Sequence, residues 1–262
     1  MMMEPRTTIP LEILPYIIDL LAEDVKSLRI LSQACKYIVP LCRKHLFSYF
    51  HLARFLRVSK LKRFYDLLSK NPEIARYVRR LNYRVYIPII DHELNILDML
   101  KKHSSLQRIT LTSPRLDWND FPEALRSSLV SLIQLPTVAH LDIEDFSGFP
   151  AAALSGCSNL IHLWLGSLEF SPPEANQVIS RSKIPTLASL YIRGPAEASR
   201  YNFAVFLSSA SLQAGGPIVD FSRLQRAEFD VDSRDDIEHV NKLIKATIQL
   251  EYFRIKSLRS SE

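Results

Sequence analysis

The chain has 262 residues, of which 47% are hydrophobic, and this is enough to bury a substantial core in one large or two small domains. Its 33 Lys and Arg residues oppose 28 Asp and Glu residues, for a formal net charge of +5. This excess is mild, whereas a nucleic-acid-binding domain usually concentrates its basic residues on one face. We therefore expect a folded protein that does not bind nucleic acid.

The three cysteines, Cys35, Cys42 and Cys157, are far apart and form no CxxC pair. This spacing indicates neither a disulfide framework nor a zinc site, and it fits a reducing compartment. The N-terminus lacks the basic and apolar regions of a signal peptide, and no apolar run approaches the roughly 18 residues needed to cross a bilayer. The sequence predicts a cytoplasmic or nuclear protein without a membrane partner.

Residues 1–7 are expected to form a flexible tail, and residues 8–50 predict three short amphipathic helices. Pro10 suits the first turn of the first helix, because its missing N–H would have no partner there. Asp24 is a suitable N-cap for the second helix. Pro40 predicts a break, after which a third helix from about Leu41 would bury Leu46, Phe47 and Phe50.

Residues 51–75 are predicted to contain a linker helix, and residues 76–258 carry an internal pattern. An L-x-x-L-x-L skeleton, with other apolar residues allowed, recurs seven times at irregular intervals. Segments with helical spacing lie between the copies, at 94–100, 125–133, 203–207 and 237–244. The skeleton residues are Val78, Leu81, Tyr83; Leu106, Ile109, Leu111; Val138, Leu141, Ile143; Leu160, Leu163, Leu165; Leu187, Leu190, Ile192; Leu224, Ala227, Phe229; and Leu250, Phe253, Ile255.

Residues 76–258 resemble the leucine-rich-repeat family through this skeleton. The resemblance implies an α/β fold, an irregular solenoid with a curved parallel sheet. The asparagine that the family places after the third apolar position is replaced here by Pro114, Phe146, Leu168 and Pro195. A doubly wound α/β enzyme is the rival interpretation, but the chain has only six glycines and no GxGxxG or GxxxxGK[ST] phosphate-binding loop.

The N-terminal segment resembles the F-box family. The resemblance is carried by Ile9-Pro10-Leu11-Glu12-Ile13-Leu14, then Ile17-Ile18, then Leu28, Leu31 and Cys35-Lys36. The tryptophan that often follows the Cys-basic pair is absent, so Tyr37 or Tyr49 would have to replace it. The alternative is that residues 8–50 are only a helical cap over one end of the solenoid.

F-box modules dock on the adaptor subunit of an SCF-type cullin-RING ubiquitin ligase, so the resemblance implies a substrate-recognition subunit that catalyses nothing itself. The alternatives are a ligase-independent interaction scaffold of the same architecture and a small α/β enzyme. The residues that the resemblance assigns to adaptor binding are Ile9, Pro10, Leu11, Ile13, Leu14, Ile17, Leu31 and Cys35.

Side chains alternate along a strand, so the residues between the skeleton positions should share the outer face of the sheet. This face combines basic, acidic and aromatic residues, as protein-binding surfaces do. Trp164 would stand at its centre, unless it only covers a hydrophobic gap. The predicted target-binding residues are His140, Asp142, His162, Trp164, Tyr191, Arg193 and Glu228.

The sequence contains no motif that is typical of a metal site or of a catalytic serine. No HExxH and no GxSxG is present, so we expect no metal, no cofactor and no catalysis. His140 and His162 occupy the same position in consecutive copies of the skeleton. A metal ion would need a third ligand, for which Asp142 is the only obvious candidate.

Overall fold

The computed structural model describes residues 10–53, 58–171, 184–194, 218–231 and 234–257. In them the chain forms a single open sheet of eight parallel strands with helices between them, which confirms the predicted α/β class and parallel sheet. The strands are β1 (Tyr49–Leu52), β2 (Arg80–Arg84), β3 (Arg108–Asp117), β4 (His140–Ser147), β5 (His162–Gly166), β6 (Ser189–Arg193), β7 (Arg226–Val231) and β8 (Tyr252–Ser257).

The strand order follows the chain order from β1 to β8 without interruption. A doubly wound sheet instead reverses its strand order at a switch point, which is where its ligands bind. This eight-stranded sheet has no such point. Each strand therefore adds to the same side of the sheet as its predecessor, and β1 and β8 are the two edges.

The apolar skeleton forms the inner side of this sheet. In its first six copies every skeleton residue except Ile192 is buried. The register places equivalent residues beside each other: Leu141 of β4 pairs with Ile109 of β3 and with Leu163 of β5. Stacked strands with identical inward positions bury a continuous core, which no single copy could build. Leu141, for example, is completely buried.

The last copy behaves differently, because no further strand or helix of the described residues covers it. Phe253 and Ile255 of β8 are 37% and 42% exposed, although they occupy the same positions as the buried Ala227 and Phe229 of β7. The skeleton therefore predicts the strand correctly and overstates its burial.

Strand β1 was not among the seven predicted strands. Phe50 pairs with Leu81 and Leu52 with Tyr83, so Phe47, Phe50 and Leu52 form an additional copy of the skeleton with aromatic residues in place of two leucines. Phe50 stacks on Phe64 with ring centroids 4.0 Å apart. The prediction that Phe50 is buried by the third helix is therefore wrong, because that helix ends at Leu46.

The N-terminal helices are α1 (Leu14–Leu20), α2 (Val25–Ala34) and α3 (Val39–Leu46), preceded by a 3₁₀ turn at Leu11–Ile13. The Asp24 side chain accepts a hydrogen bond of 3.0 Å from the Ser27 N–H, which confirms its predicted role as N-cap. Pro40 does not mark a break before the third helix. It lies in the first turn of α3, where a proline needs no N–H partner. Ile9 and the predicted tail lie outside the described residues.

The remaining helices connect the strands. They are α4 (Val58–Lys70), α5 (Asp91–His103), α6 (Glu123–Ile133) and α7 (Arg234–Ala246), with 3₁₀ segments at Pro72–Tyr77, Trp118–Asp120 and Ala151–Gly156. Helix α4 is the predicted linker helix, and it packs on α5, which packs on α6. The predicted helical segment at 203–207 lies outside the described residues. Among the helices that are described, none is both long and apolar enough to cross a membrane.

An aromatic cluster fills the space beyond the C-terminal ends of β3 and β4. Trp118, Phe121, Phe146 and Phe149 make edge-to-face contacts with ring centroids 4.9 to 6.2 Å apart. Edge-to-face pairs place the positive ring edge on the negative ring face and are favourable. Phe146, which occupies one of the asparagine positions of the resemblance, is therefore a core residue of this cluster.

Candidate functional site

The outer face of the sheet contains three rows of side chains, because the register aligns equivalent residues from strand to strand. His140 and His162 belong to the first row, and Arg193 to the third. The second row contains four of the predicted target-binding residues. They are, in order across the sheet, Asp142, Trp164, Tyr191 and Glu228.

A depression of about 420 Å³ lies on this face, over β3 to β6. We call it the face pocket, and its volume is within the range of about 300–1,000 Å³ found for ligand sites. Five of the seven predicted target-binding residues line it, and Arg193 and Glu228 do not. The lining residues are Arg108, His140, Asp142, Glu144, His162, Leu163, Trp164 and Tyr191.

One wall of the face pocket is a charged hydrogen-bond network. The Arg108 guanidinium donates to Asp142 Oδ2 from Nε at 3.0 Å and from Nη2 at 2.8 Å, and Thr110 Oγ1 donates to the same oxygen at 2.9 Å. The Asp142 side chain is only 14% exposed. Charge-assisted bonds of this length are stronger than neutral ones, so this network fixes the carboxylate in place.

The floor of the face pocket carries two stacked imidazoles. The His140 and His162 rings are 4.2 Å apart between centroids and tilted by only 14°. Burial lowers the pKa of His140, and the Arg108 charge lowers it further, while Asp142 opposes them. Burial also lowers the pKa of His162, followed by the effects of His140 and Arg226. Both rings are therefore predominantly neutral at pH 7.

A metal ion held by the two histidines and Asp142 would need nitrogens that converge on one point. The rings instead lie face to face, and Asp142 Oδ2 already accepts three hydrogen bonds. Among the described residues, no group of three or more His, Cys, Asp or Glu side chains could hold a metal ion.

The Trp164 indole leans along its own strand over Gly166. A Cβ at Gly166 would lie 2.6 Å from Trp164 Cη2 and 2.8 Å from Cζ3, so only glycine leaves room for the ring in this position. Glu144, paired with Gly166 on the neighbouring strand, stands beside the ring. Burial raises the pKa of Glu144, and the charges of Asp145 and Asp142 raise it further.

Arg193 and Glu228 lie on the outer face but do not line the face pocket. The Arg193 side chain is 74% exposed, with Nε 4.0 Å from Asp230 Oδ2. Glu228 forms an ion pair with Lys256 on the last strand. In both pairs the basic side chain is exposed, whereas the Asp230 side chain is 7% and the Glu228 side chain 21% exposed.

The predicted adaptor-binding residues divide into two groups. Leu14, Ile17 and Leu31 are half-buried, and Leu31 packs against the small core of the helices. Four are exposed on the surface, where a partner could reach them, and Ile9 lies outside the described residues. The exposed residues are Pro10, Leu11, Ile13 and Cys35.

Sequence reasoning missed several residues on both surfaces. On the helices, Tyr16, Leu20 and Ile30 are large, apolar and exposed, and a helical wheel centred on the inward-facing Ile18 and Leu28 would have found them. In the face pocket, Arg108 and Glu144 were missed as site residues. Strand alternation already places both of them on the outer face.

No protein-family model matches this chain, and a search of curated proteins finds no relative.

Proposed function

We propose that this chain is the substrate-recognition subunit of an SCF-type cullin-RING ubiquitin ligase, in which F-box-like N-terminal helices dock on the adaptor subunit and the sheet holds the target protein. One observation carries the proposal: α1 and α2 display large apolar side chains on a module that has its own small core. Leu20 is 88% exposed, Tyr16 72% and Ile30 60%. Several large exposed apolar side chains on one small module are typical of a protein-binding surface.

The sheet supports the second half of the proposal. Its sequential parallel strands and recurring buried positions are what a leucine-rich-repeat solenoid requires. Solenoids bind partners through extended surfaces that no single repeat could form. The outer face offers such a surface, with Trp164 and Tyr191 directly paired at its centre.

The proposed mechanism is proximity without catalysis by this chain. A target held on the sheet is kept near the ubiquitin-charged enzyme that the adaptor recruits. This converts a bimolecular encounter into an effectively intramolecular one, at an effective concentration set by the geometry of the assembly. The position of the helices supports this, because α3 contacts the 3₁₀ segment Pro72–Tyr77, which leads directly into β2.

The adaptor half is tested by co-precipitation of the cullin adaptor with a Tyr16→Glu, Leu20→Glu double variant. Both residues lie on one face of α1, four positions apart. Because both are highly exposed, the fold should persist while a charged surface replaces the apolar one. We expect at least a tenfold loss of adaptor recovery. Substitutions are preferable to removal of the helices, because Tyr49 already belongs to the sheet.

The matched control is Ile248→Glu, at a residue that is 89% exposed but distant in sequence from the helices. It should recover as much adaptor as the unchanged chain. If the double variant also does so, the docking assignment is wrong. Recovery of a target without any adaptor from the unchanged chain is the result expected of a ligase-independent interaction protein.

The target half is tested with Trp164→Ala and Tyr191→Ala. Truncation of a central aromatic residue commonly costs about 2 kcal/mol of binding free energy, which is roughly thirtyfold in affinity. Each variant should lose the proteins that the unchanged chain captures and should keep the adaptor. Lys256→Ala, at the margin, should lose neither. If both aromatic variants fold and retain their captured proteins, the outer face is not the target site.

A further inference from the structure

The charges of the side chains that line the face pocket do not cancel. Arg108 and Asp142 offset each other in their ion pair, which has an N–O distance of 2.8 Å. The two histidines are predominantly neutral at pH 7 because burial lowers their pKa values. Of the charged residues that line the pocket, only Glu144 has no charged partner in it, so its ionised carboxylate leaves one net negative charge.

The Glu144 carboxylate makes no hydrogen bond and no ion pair with any residue that the structure describes. Arg193 is near enough to act on its pKa, but it contacts Asp230 instead. A half-buried carboxylate without a hydrogen bond or ion pair has lost part of its hydration without a direct contact to replace it. A cation bound in the pocket would supply the missing interaction.

Two aromatic rings complete the pocket. Trp164 and Tyr191 are paired across β5 and β6, yet their rings make no contact with each other. No arginine or lysine of the described residues lies over either ring. Their faces are therefore available, and an aromatic face attracts a cation within about 6 Å, with tryptophan the most favourable ring.

We propose that the face pocket binds one basic side chain of a partner protein, arginine or lysine, between Trp164 and Tyr191 and against the Glu144 carboxylate. This proposal deepens the target-binding role and rests on it. Arginine satisfies the site most fully, because a planar guanidinium stacks on an aromatic ring and pairs with a carboxylate at the same time.

The experiment is a titration of the full-length ¹⁵N-labelled chain with Nα-acetyl-arginine amide and Nα-acetyl-lysine amide. The chain has two tryptophans, so its spectrum contains two indole N–H signals. Trp118 is 5% exposed within the aromatic cluster and serves as an internal reference. We expect the Trp164 signal to shift with a dissociation constant on the order of millimolar, as ligands of this size allow, and the Trp118 signal to stay in place.

Nα-acetyl-norleucine amide has a similar aliphatic side chain without the charge, and it should bind at least tenfold more weakly. Glu144→Gln, which keeps the size of the side chain, should weaken arginine or lysine binding at least tenfold. The matched control is Asp145→Asn, which removes one negative charge from the adjacent residue outside the pocket lining. Its φ of 58° is tolerated by asparagine, and it should change binding less than threefold.

Binding of norleucine amide as strong as that of arginine amide would overturn the proposal, as would undiminished binding by a folded Glu144→Gln variant. A shift caused by Nα-acetyl-glutamate amide instead would also overturn it, in favour of an anion site at Arg108. These outcomes are separate from the ligase role. If the adaptor is not recovered, the titration can still succeed. If the titration fails, the chain can still recover the adaptor and capture a target.

Discussion

The sheet and the N-terminal helices use their apolar residues in opposite ways. The sheet buries nearly all of its skeleton in one core that extends from Leu52 to Leu243. The helices bury only Ile18, Leu28 and Cys42, and leave larger apolar side chains on the surface. A short segment cannot bury enough surface to be stable alone. Burial of its apolar surface by a partner would stabilise it by mass action.

The largest expected effect is that of Leu141→Ala in the sheet core. Leu141 is completely buried between two neighbouring strands, so the substitution leaves a cavity that close-packed neighbours cannot fill. We expect a loss of about 3–5 kcal/mol in the free energy of unfolding, measured by urea denaturation.

Ile255→Ala on β8 is the control within the same sheet. Ile255 occupies the third skeleton position of the last copy, which Ile143 holds on β4, but it is 42% exposed, so its truncation should cost about 1 kcal/mol or less. Equal losses from the two substitutions would show that β8 is covered as fully as β4.

Leu28→Ala makes the same chemical change in the helices. Leu28 is also completely buried, but its neighbours are few, and we expect a smaller loss of about 2–3 kcal/mol. The loss of stability should be confined to the N-terminal helices. Amide hydrogen exchange should show lost protection in α1 to α3 and unchanged protection in β4. Equal loss of protection in both regions would mean that helices and sheet unfold as one unit.

Acidification should also separate the two regions. Burial lowers the pKa of His140 and His162, so the unfolded chain binds protons that the folded sheet does not as pH falls through about 6.5. The stability of the sheet is then full above this pH and decreases below it. Urea denaturation at pH 7.5 and 5.5, followed by the fluorescence of Trp118 and Trp164, measures the difference.

In the helices, the hydrogen bond from His45 lowers the pKa of Asp19, followed by that from Lys44, and hydrogen bonds from Ser27 lower the pKa of Asp24. The stability that Asp19 and Asp24 contribute is fully present above about pH 3.8. It is lost only as pH falls through their lowered pKa values. A double His140→Gln, His162→Gln variant should reduce the loss of sheet stability between pH 7.5 and 5.5. An unchanged dependence in that variant would assign it to other groups.

The fold could be predicted wherever the skeleton follows a regular spacing. Leu141 and Ile143 are buried because each strand alternates and each copy stacks on the next. The same spacing is present in Phe47, Phe50 and Leu52. These residues directly follow a helical pattern in the sequence, so they were interpreted as the end of the third helix. The exposure of β8 could not be predicted, because burial depends on what lies beyond the last strand.

The site could be predicted in part for the same reason. Alternation brought Trp164, Tyr191 and both histidines to one face. It could not reveal that Arg108 reaches Asp142 on the next strand and neutralises it, because this depends on the register between strands. Without that ion pair, Glu144 could not be recognised as the carboxylate left without a partner.

The smallest expected effect is that of Gly166→Ala. Its Cβ would lie 2.6 Å from Trp164 Cη2, but this atom is the tip of a half-buried ring that can move, and the backbone of Gly166 has no positive φ. The indole should therefore shift while the fold persists, at a cost of about 1 kcal/mol or less. The Trp164 indole signal should move, and the Trp118 signal should not. In a Trp164→Ala background the substitution should have a smaller effect on stability, because the two closest ring atoms are gone and only Glu144 Cγ, at 3.3 Å, remains close. If Gly166→Ala destabilises the chain equally in both backgrounds, the glycine is needed for the strand itself and not for the position of the ring.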